Sequence, residues 1–196
     1  FRSHRVANDA LSAPAKLLTT LAELPGVYQF EQPVRDAVRA ALPEWARSAV
    51  AQDSVGNLIL AMGPDRDTTV FLAHMDEVGY TVHSIDNDGM VTLDAAGGVM
   101  RSSWEGQPAQ LYLGNASERG GVVSPPAIDG VFVPRDVAKH KQPDVMRAWF
   151  GMDSTALVAH GVHVGLPVIG YKRGVRLAAT RYTARSLDDR TGVAAL

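Results

Sequence analysis

Ala73-His74-Met75-Asp76-Glu77-Val78-Gly79-Tyr80, and an answering stretch near the far end, Leu187-Asp188-Asp189-Arg190-Thr191-Gly192, organise this 196-residue chain. The first follows an apolar run, Thr69-Val70-Phe71-Leu72-Ala73, whose β-branched and aromatic residues predict a fully buried strand. A His and an Asp two apart at the carboxyl end of such a strand sit where open α/β sheets place their ligands. A neutral imidazole suits Zn²⁺ or Co²⁺, and a nearby carboxylate can fix the ring's tautomer through its other nitrogen. The same His-x-Asp spacing also describes a buried His satisfied by its neighbour. The second stretch adds an Asp-Asp-Arg-x-Gly turn opening a small-residue helix, with a carboxylate able to bridge two cations.

Composition narrows the class. A hydrophobic content of 46% over this length supports one ordinary core, or a core plus a small inserted domain. A formal charge of −2 speaks against a nucleic-acid or membrane-surface partner, since such domains carry a basic excess. With no cysteine, thiolate metal sites and disulfides are excluded, and a reducing cytoplasm is the expected compartment. No apolar run reaches the length of about 18 residues that spans a bilayer. Phe1-Arg2-Ser3-His4-Arg5 is basic without an apolar stretch behind it, so it does not read as a signal peptide.

Periodicity places the elements around the motifs. Ser12-Ala13-Pro14 predicts a helix start, with Leu17, Leu18, Leu21 and Leu24 at helical spacing and Pro25-Gly26 as its stop. A second helix is expected over 32–42, burying Val34, Val38 and Leu42 and leaving Arg35, Asp36 and Arg39 in solvent. Residues 46–52 and 57–62 read as strands joined by a hairpin-type turn at Asp53-Ser54-Val55-Gly56. Beyond Gly79, short β-like runs at 80–85, 90–93, 108–113, 121–123 and 167–171 alternate with turn residues, which predicts a small β-barrel or sandwich. One helix is expected inside it, over 154–160, with Asp153 as cap and Gly161 beyond its end. The polar stretch 133–143 reads as an exposed loop. His83, His140, His160 and His163 read as satisfied or solvated rather than as ligands. A run of alternating apolar character over 175–183 returns the chain to its first domain. A helix then begins at Arg190, with Val193, Ala194 and Leu196 apolar; no Gly, Asn or Lys closes it, which predicts that this is not a natural carboxyl terminus.

His74-Met75-Asp76-Glu77-Val78-Gly79 and Asp188-Asp189-Arg190-Thr191-Gly192 resemble the two leading signatures of the M42 family of dinuclear metallo-aminopeptidases, which includes glutamyl aminopeptidases and tetrahedral deblocking aminopeptidases. Leu24-Pro25-Gly26-Val27, Pro33-Val34-Arg35-Asp36, Asp53-Ser54-Val55-Gly56-Asn57-Leu58, Asp88-Gly89 and Gly97-Gly98 fall in the family's order. The resemblance covers nearly the whole chain but only about the first half of a family member. It implies an α/β metallopeptidase sandwich, incomplete at its carboxyl end, with an inserted small β-barrel. The expected division is 1–79 for the first part of the catalytic domain, 80–177 for the inserted assembly domain and 178–196 for the return. Around Trp104-Glu105-Gly106 and Ser124-Pro125-Pro126-Ala127 the chain departs from the family pattern, at positions that bear on assembly and on the substrate rim.

The resemblance further implies two divalent metal ions, Zn or Co, with His74 a terminal ligand to one and Asp188 bridging both. Asp76 would steady the His74 imidazole and raise its basicity. Asp189 would shape the turn, where the family often has an unusual peptide bond. Glu77 belongs to the first motif and does not stand in for the general base, which the family takes from a later Glu-Glu pair with no match here. The implied activity is removal of amino-terminal residues from short peptides by a homo-oligomer, from dimer to dodecamer. These 196 residues by themselves are expected to bind metal poorly and to hydrolyse nothing. A half-length relative acting in assembly or partner binding is the competing reading. Deacylation or glycoside cleavage ranks below both, since glycosidases rely on two carboxyls flanking a sugar.

Overall fold

The computed structural model describes residues 13–64, 66–114, 124–135, 145–178 and 181–196, which fall into two compact units. The first collects residues up to Leu24, then Val34–Met75 and Arg173–Leu196; the second holds Pro25–Pro33 and Asp76–Lys172.

In the first unit, α1 (Ala13–Glu23), α2 (Gln32–Ala41), α3 (Glu44–Ala49) and α5 (Leu187–Ala195) accompany two short hairpins. Leu21, Leu24, Val34 and Ala37 form a buried cluster on which Leu17, Val38, Met75, Val193 and Ala194 pack. The leucine spacing of α1 and the valine spacing of α2 thus do what their period predicts. In the first hairpin β1 (Ala51–Gln52) pairs antiparallel with β2 (Leu58–Ile59), around a turn where Gly56 has φ +94°. Arg35 donates from Nη1 to the Gly56 carbonyl at 3.1 Å, so it anchors this turn instead of standing in solvent. The second hairpin pairs β9 (Val175–Leu177) with β10 (Arg181–Thr183).

Two further sequence expectations fail in this unit. Residues 46–52 were expected as a strand, but Glu44–Ala49 is helical, opened by Pro43 in extended conformation. Good helix formers outweigh the apolar count there: Ala46 is the buried position, and Arg47 turns back to the carbonyls of Ala40 and Leu42 at the end of α2. The run 69–73 is not a buried strand either. It has no strand conformation, and Val70, Phe71 and Leu72 are 72%, 77% and 83% exposed. Strand conformation requires a partner for the backbone groups, and no described residue pairs with this run.

The second unit is a closed six-stranded barrel, in the order β3 (Gly79–Ile85), β4 (Met90–Ala96), β7 (Met146–Trp149), β6 (Ala127–Phe132), β5 (Pro108–Tyr112) and β8 (Pro167–Gly170), every pairing antiparallel. Alternate residues fill it: Tyr80 and Val82, Val91 and Leu93, Ala109 and Leu111, Met146 and Ala148. Tyr80, Trp104 and Phe132 form an aromatic set with ring centroids 5.2 to 5.6 Å apart, two of the three contacts edge-to-face. Trp104, a departure from the family pattern, therefore earns its place as core. Beside it Glu105 pairs with Arg135. Between β7 and β8 runs α4 (Ser154–Ala159), capped as expected by Asp153, whose carboxylate accepts the Ala156 N–H at 2.8 Å. Closure leaves no edge strand, which explains how so short a β segment stands as a core of its own. The runs at 121–123 and most of 133–143, with His140, lie outside the described residues.

Candidate functional site

The second motif is built by helix-end chemistry. An α-helix ends with unsatisfied carbonyls and a partial negative charge, and α1 presents these at Leu21, Glu23 and Leu24. Arg190 is fully buried and donates from Nη1 to the Leu21 carbonyl at 2.5 Å and to that of Leu24 at 3.4 Å. Arg185 donates to the Glu23 carbonyl at 2.6 Å. Asp188 is thereby carried on a segment pinned at both ends to one helix terminus. Next to it, Asp189 accepts the Gly192 N–H at 2.9 Å through Oδ1. A Cβ at Gly192 would lie 2.5 Å from both Asp189 carboxylate oxygens, so a side chain there would have to displace the carboxylate and its bond to the Gly192 N–H. The Asp188–Asp189 peptide is cis, and both residues depart from helical dihedrals before α5 continues. The family resemblance implies an unusual peptide between these two positions, and the bond here is cis.

The first motif meets the second within this unit. Met75 packs on the same cluster as Val193 and Ala194 of α5, and its neighbour His74 reaches Asp188: Nε2 lies 3.1 Å from Oδ1, across 114 positions of sequence. Their side chains are 55% and 96% exposed. An exposed pair of this kind contributes at most about 1 kcal/mol of stability. Folding energy does not explain why two motifs converge on it. As a donor set the pair fits a cation: two ligand atoms at about 2.0–2.1 Å on a tetrahedral ion stand roughly 3.3 Å apart. The fit stops at two donors, because no group of three or more metal-binding side chains occurs among the described residues.

Asp76 is half-buried and begins the longer segment of the second unit. Glu77, unassigned from sequence, is buried: its Oε1 accepts the Gly26 N–H at 3.0 Å, and its own N–H donates to the Gly26 carbonyl at 2.8 Å. Only an acidic side chain directly after the His-x-Asp hinted at this. His83 pairs with Asp94 at 2.9 Å and His163 with the Val164 carbonyl at 2.9 Å, so both are satisfied, as expected.

The profile of the M42 glutamyl aminopeptidase family matches residues 56–196. The chain belongs to the M42 family. It is 32% identical over 109 residues to a lysyl aminopeptidase of Pyrococcus furiosus, a match covering 55% of this chain and 31% of that protein. Among solved structures it is similar to the Pyrococcus horikoshii TET1 peptidase, described as assembling into a tetrahedron or a large octahedral shell, with a TM-score of 0.75 at 23% identity over 93% of this chain and 54% of the other. It also resembles a Thermotoga maritima protein named as an endoglucanase, with a TM-score of 0.69 at 28% identity over 90% of this chain and 51% of the other. The chain spans half or less of the length of the curated relatives it matches. Its mixed α/β fold matches that of these solved structures, and it contains the closed six-stranded barrel.

Proposed function

We propose that this M42 chain contributes the first metal-binding half of a dinuclear aminopeptidase that removes amino-terminal residues from short peptides. The observation that carries the reading is the 3.1 Å approach of His74 Nε2 to Asp188 Oδ1, two solvent-facing donors from the two family motifs. His74 would hold one Zn²⁺ or Co²⁺ ion as a neutral imidazole. Asp188 would hold the same ion and a second, since it faces His74 through Oδ1 and its near-complete exposure leaves Oδ2 accessible. Asp76 would steady the imidazole and keep it basic. Ions held by His74 and Asp188 would supply Lewis-acid activation of a water and of the scissile carbonyl.

Two donors fall short of the three or four protein ligands of a stable site. Further donors and a general base are needed beyond those described, and the 196 residues alone should bind metal weakly and leave peptides intact. The second reading is a non-catalytic relative whose barrel serves assembly or partner binding. In either case residues 80–177 would act as the assembly domain of a homo-oligomer, bracketed by catalytic-domain residues 1–79 and 178–196. No helix among the described residues is long and apolar enough to cross a membrane. The proposed location is the cytoplasm, on the ground of the cysteine-free composition.

The test uses protein expressed from its complete reading frame, assayed on a short peptide with a free amino terminus and on its acetylated form. Chelator-sensitive cleavage of the free peptide alone, lost in His74→Ala and Asp188→Asn, supports the aminopeptidase. Equal cleavage of the acetylated peptide sinks it. Absence of cleavage with no bound metal supports the assembly role.

A further inference from the structure

The first motif has a second half, Glu77-Val78-Gly79, that supplies no ligand in the reading above and yet is the more buried part. Glu77 is 7% exposed. A buried carboxylate is costly unless its oxygens are engaged, and this one is engaged by a backbone N–H of the turn Pro25-Gly26, at Gly26. The Glu77 N–H answers to the Gly26 carbonyl, and Val27 and Glu77 form a parallel bridge. The clasp is therefore double, one bond from backbone and one from side chain, both to the same residue. Two positions on, a Cβ at Gly79 would meet Val27 Cγ2 at 2.6 Å and the Val168 carbonyl at 3.1 Å. Chain passes so close to chain here that no side chain fits.

We infer that Glu77 is a positioning residue, whose carboxylate locks the Asp76–Glu77 peptide onto the Pro25-Gly26 turn and so fixes where the Asp76 carboxylate stands. The inference rests on the reading above, in which Asp76 steadies His74. The Glu77 nitrogen belongs to the peptide that carries the Asp76 carbonyl, so pinning it removes the freedom of the backbone under Asp76. Without that clasp the backbone under Asp76 can shift, and its carboxylate shifts with it, away from the imidazole that the reading above has it orient. The role asks only for a hydrogen-bond acceptor of glutamate length. It does not ask for a charge, and that separates it from a ligand or a proton-transfer role.

The experiment compares Glu77→Gln and Glu77→Ala in protein expressed from its complete reading frame, at a temperature where circular dichroism shows both folded. Three quantities are read: Co²⁺ affinity from the visible absorption of the bound ion, kcat and KM on a free-amino peptide, and hydrogen exchange of the Gly26 amide. Gln keeps the acceptor, so Glu77→Gln should stay within about 3-fold of the parent in affinity and kcat, with Gly26 still protected. Glu77→Ala should lose about 10-fold in both, the low end for partners that orient a ligand, with KM little changed and Gly26 exchanging faster. Glutamine failing as badly as alanine would overturn the proposal, because charge would then be required; so would alanine matching the parent. A His74→Ala control separates the two ideas. If it keeps parental Co²⁺ affinity and turnover, or if the parent shows neither, the reading of the site fails along with the inference; if it loses both, any failure belongs to Glu77 alone.

Discussion

Arg190 offers the most direct test of how the second motif is built. Replacing it with Met keeps most of the aliphatic length and removes the guanidinium, so packing is largely preserved and the hydrogen bonds are lost. The 2.5 Å bond to the Leu21 carbonyl is charge-assisted, a class that contributes about 1.5–3 kcal/mol. The 3.4 Å contact to Leu24 adds little at that length. Against this stands the desolvation relieved when a fully buried cation is removed. The balance is a net loss of about 1–2 kcal/mol for Arg190→Met. For a chain of this size that corresponds to roughly 2–8 °C in Tm. Arg190→Ala should fall further, by about another 1–2 kcal/mol, through the space it leaves. The assay is thermal and urea unfolding of the 196-residue chain followed by far-ultraviolet circular dichroism. An Arg190→Met protein that melts at or above the parent temperature would refute the argument that the motif's arginine caps α1.

The other expectations concern separate parts of the molecule. Gly192→Ala should cost about 1–3 kcal/mol, because its methyl would sit 2.5 Å from the Asp189 carboxylate oxygens; a melting curve superimposable on the parent's would exclude that contact. Phe132→Ala, in the barrel's aromatic set, should lose about 3–5 kcal/mol, whereas Phe71→Ser, at 77% exposure, should stay within about 0.5 kcal/mol; denaturant midpoints of the two decide it. The Asp53 carboxyl is held below its ordinary value of 3.8, chiefly by the Asn57 side-chain amide and then by the Asn57 backbone N–H. A depressed folded pKa means that its support of the β1–β2 turn is complete above the ordinary value and is lost as pH falls through the lowered one. A carboxyl-carbon NMR titration should find Asp53 below 3.8 in the parent and shifted up toward it in Asn57→Ala.

Much of the architecture was legible because it depends on local rules. The helical spacing of Leu17, Leu21 and Leu24, the Asp153 cap, the β runs at 80–85, 90–93, 108–113 and 167–171 and the turn closing at Gly56 each act over a few residues, and each stands within a residue or a few of where expected. Local rules also misled. Residues 46–52 carry enough apolar character to pass for strand, yet Glu44–Ala49, opened by Pro43, forms a helix, because Arg47 can close back onto α2.

Sequence alone determined the motifs, the family resemblance they carry and the β-rich character of the region after Gly79, since residue identities and short-range periodicity are written directly in the chain. Tertiary structure alone decided the rest. Val70, Phe71 and Leu72 have the composition of a buried strand, but burial is a property of what packs against a segment, and here they face solvent. That His74 and Asp188 stand 3.1 Å apart follows from Met75, Val193 and Ala194 sharing one core cluster, a convergence over 114 positions that no local pattern encodes. The division of labour inside each motif, with Glu77 clasping Gly26 and Arg190 capping Leu21, belongs to the same order of information. Charge, spacing and type show that a residue can serve a site; only the neighbours brought by folding show whether it meets the ligand or holds the residue that does.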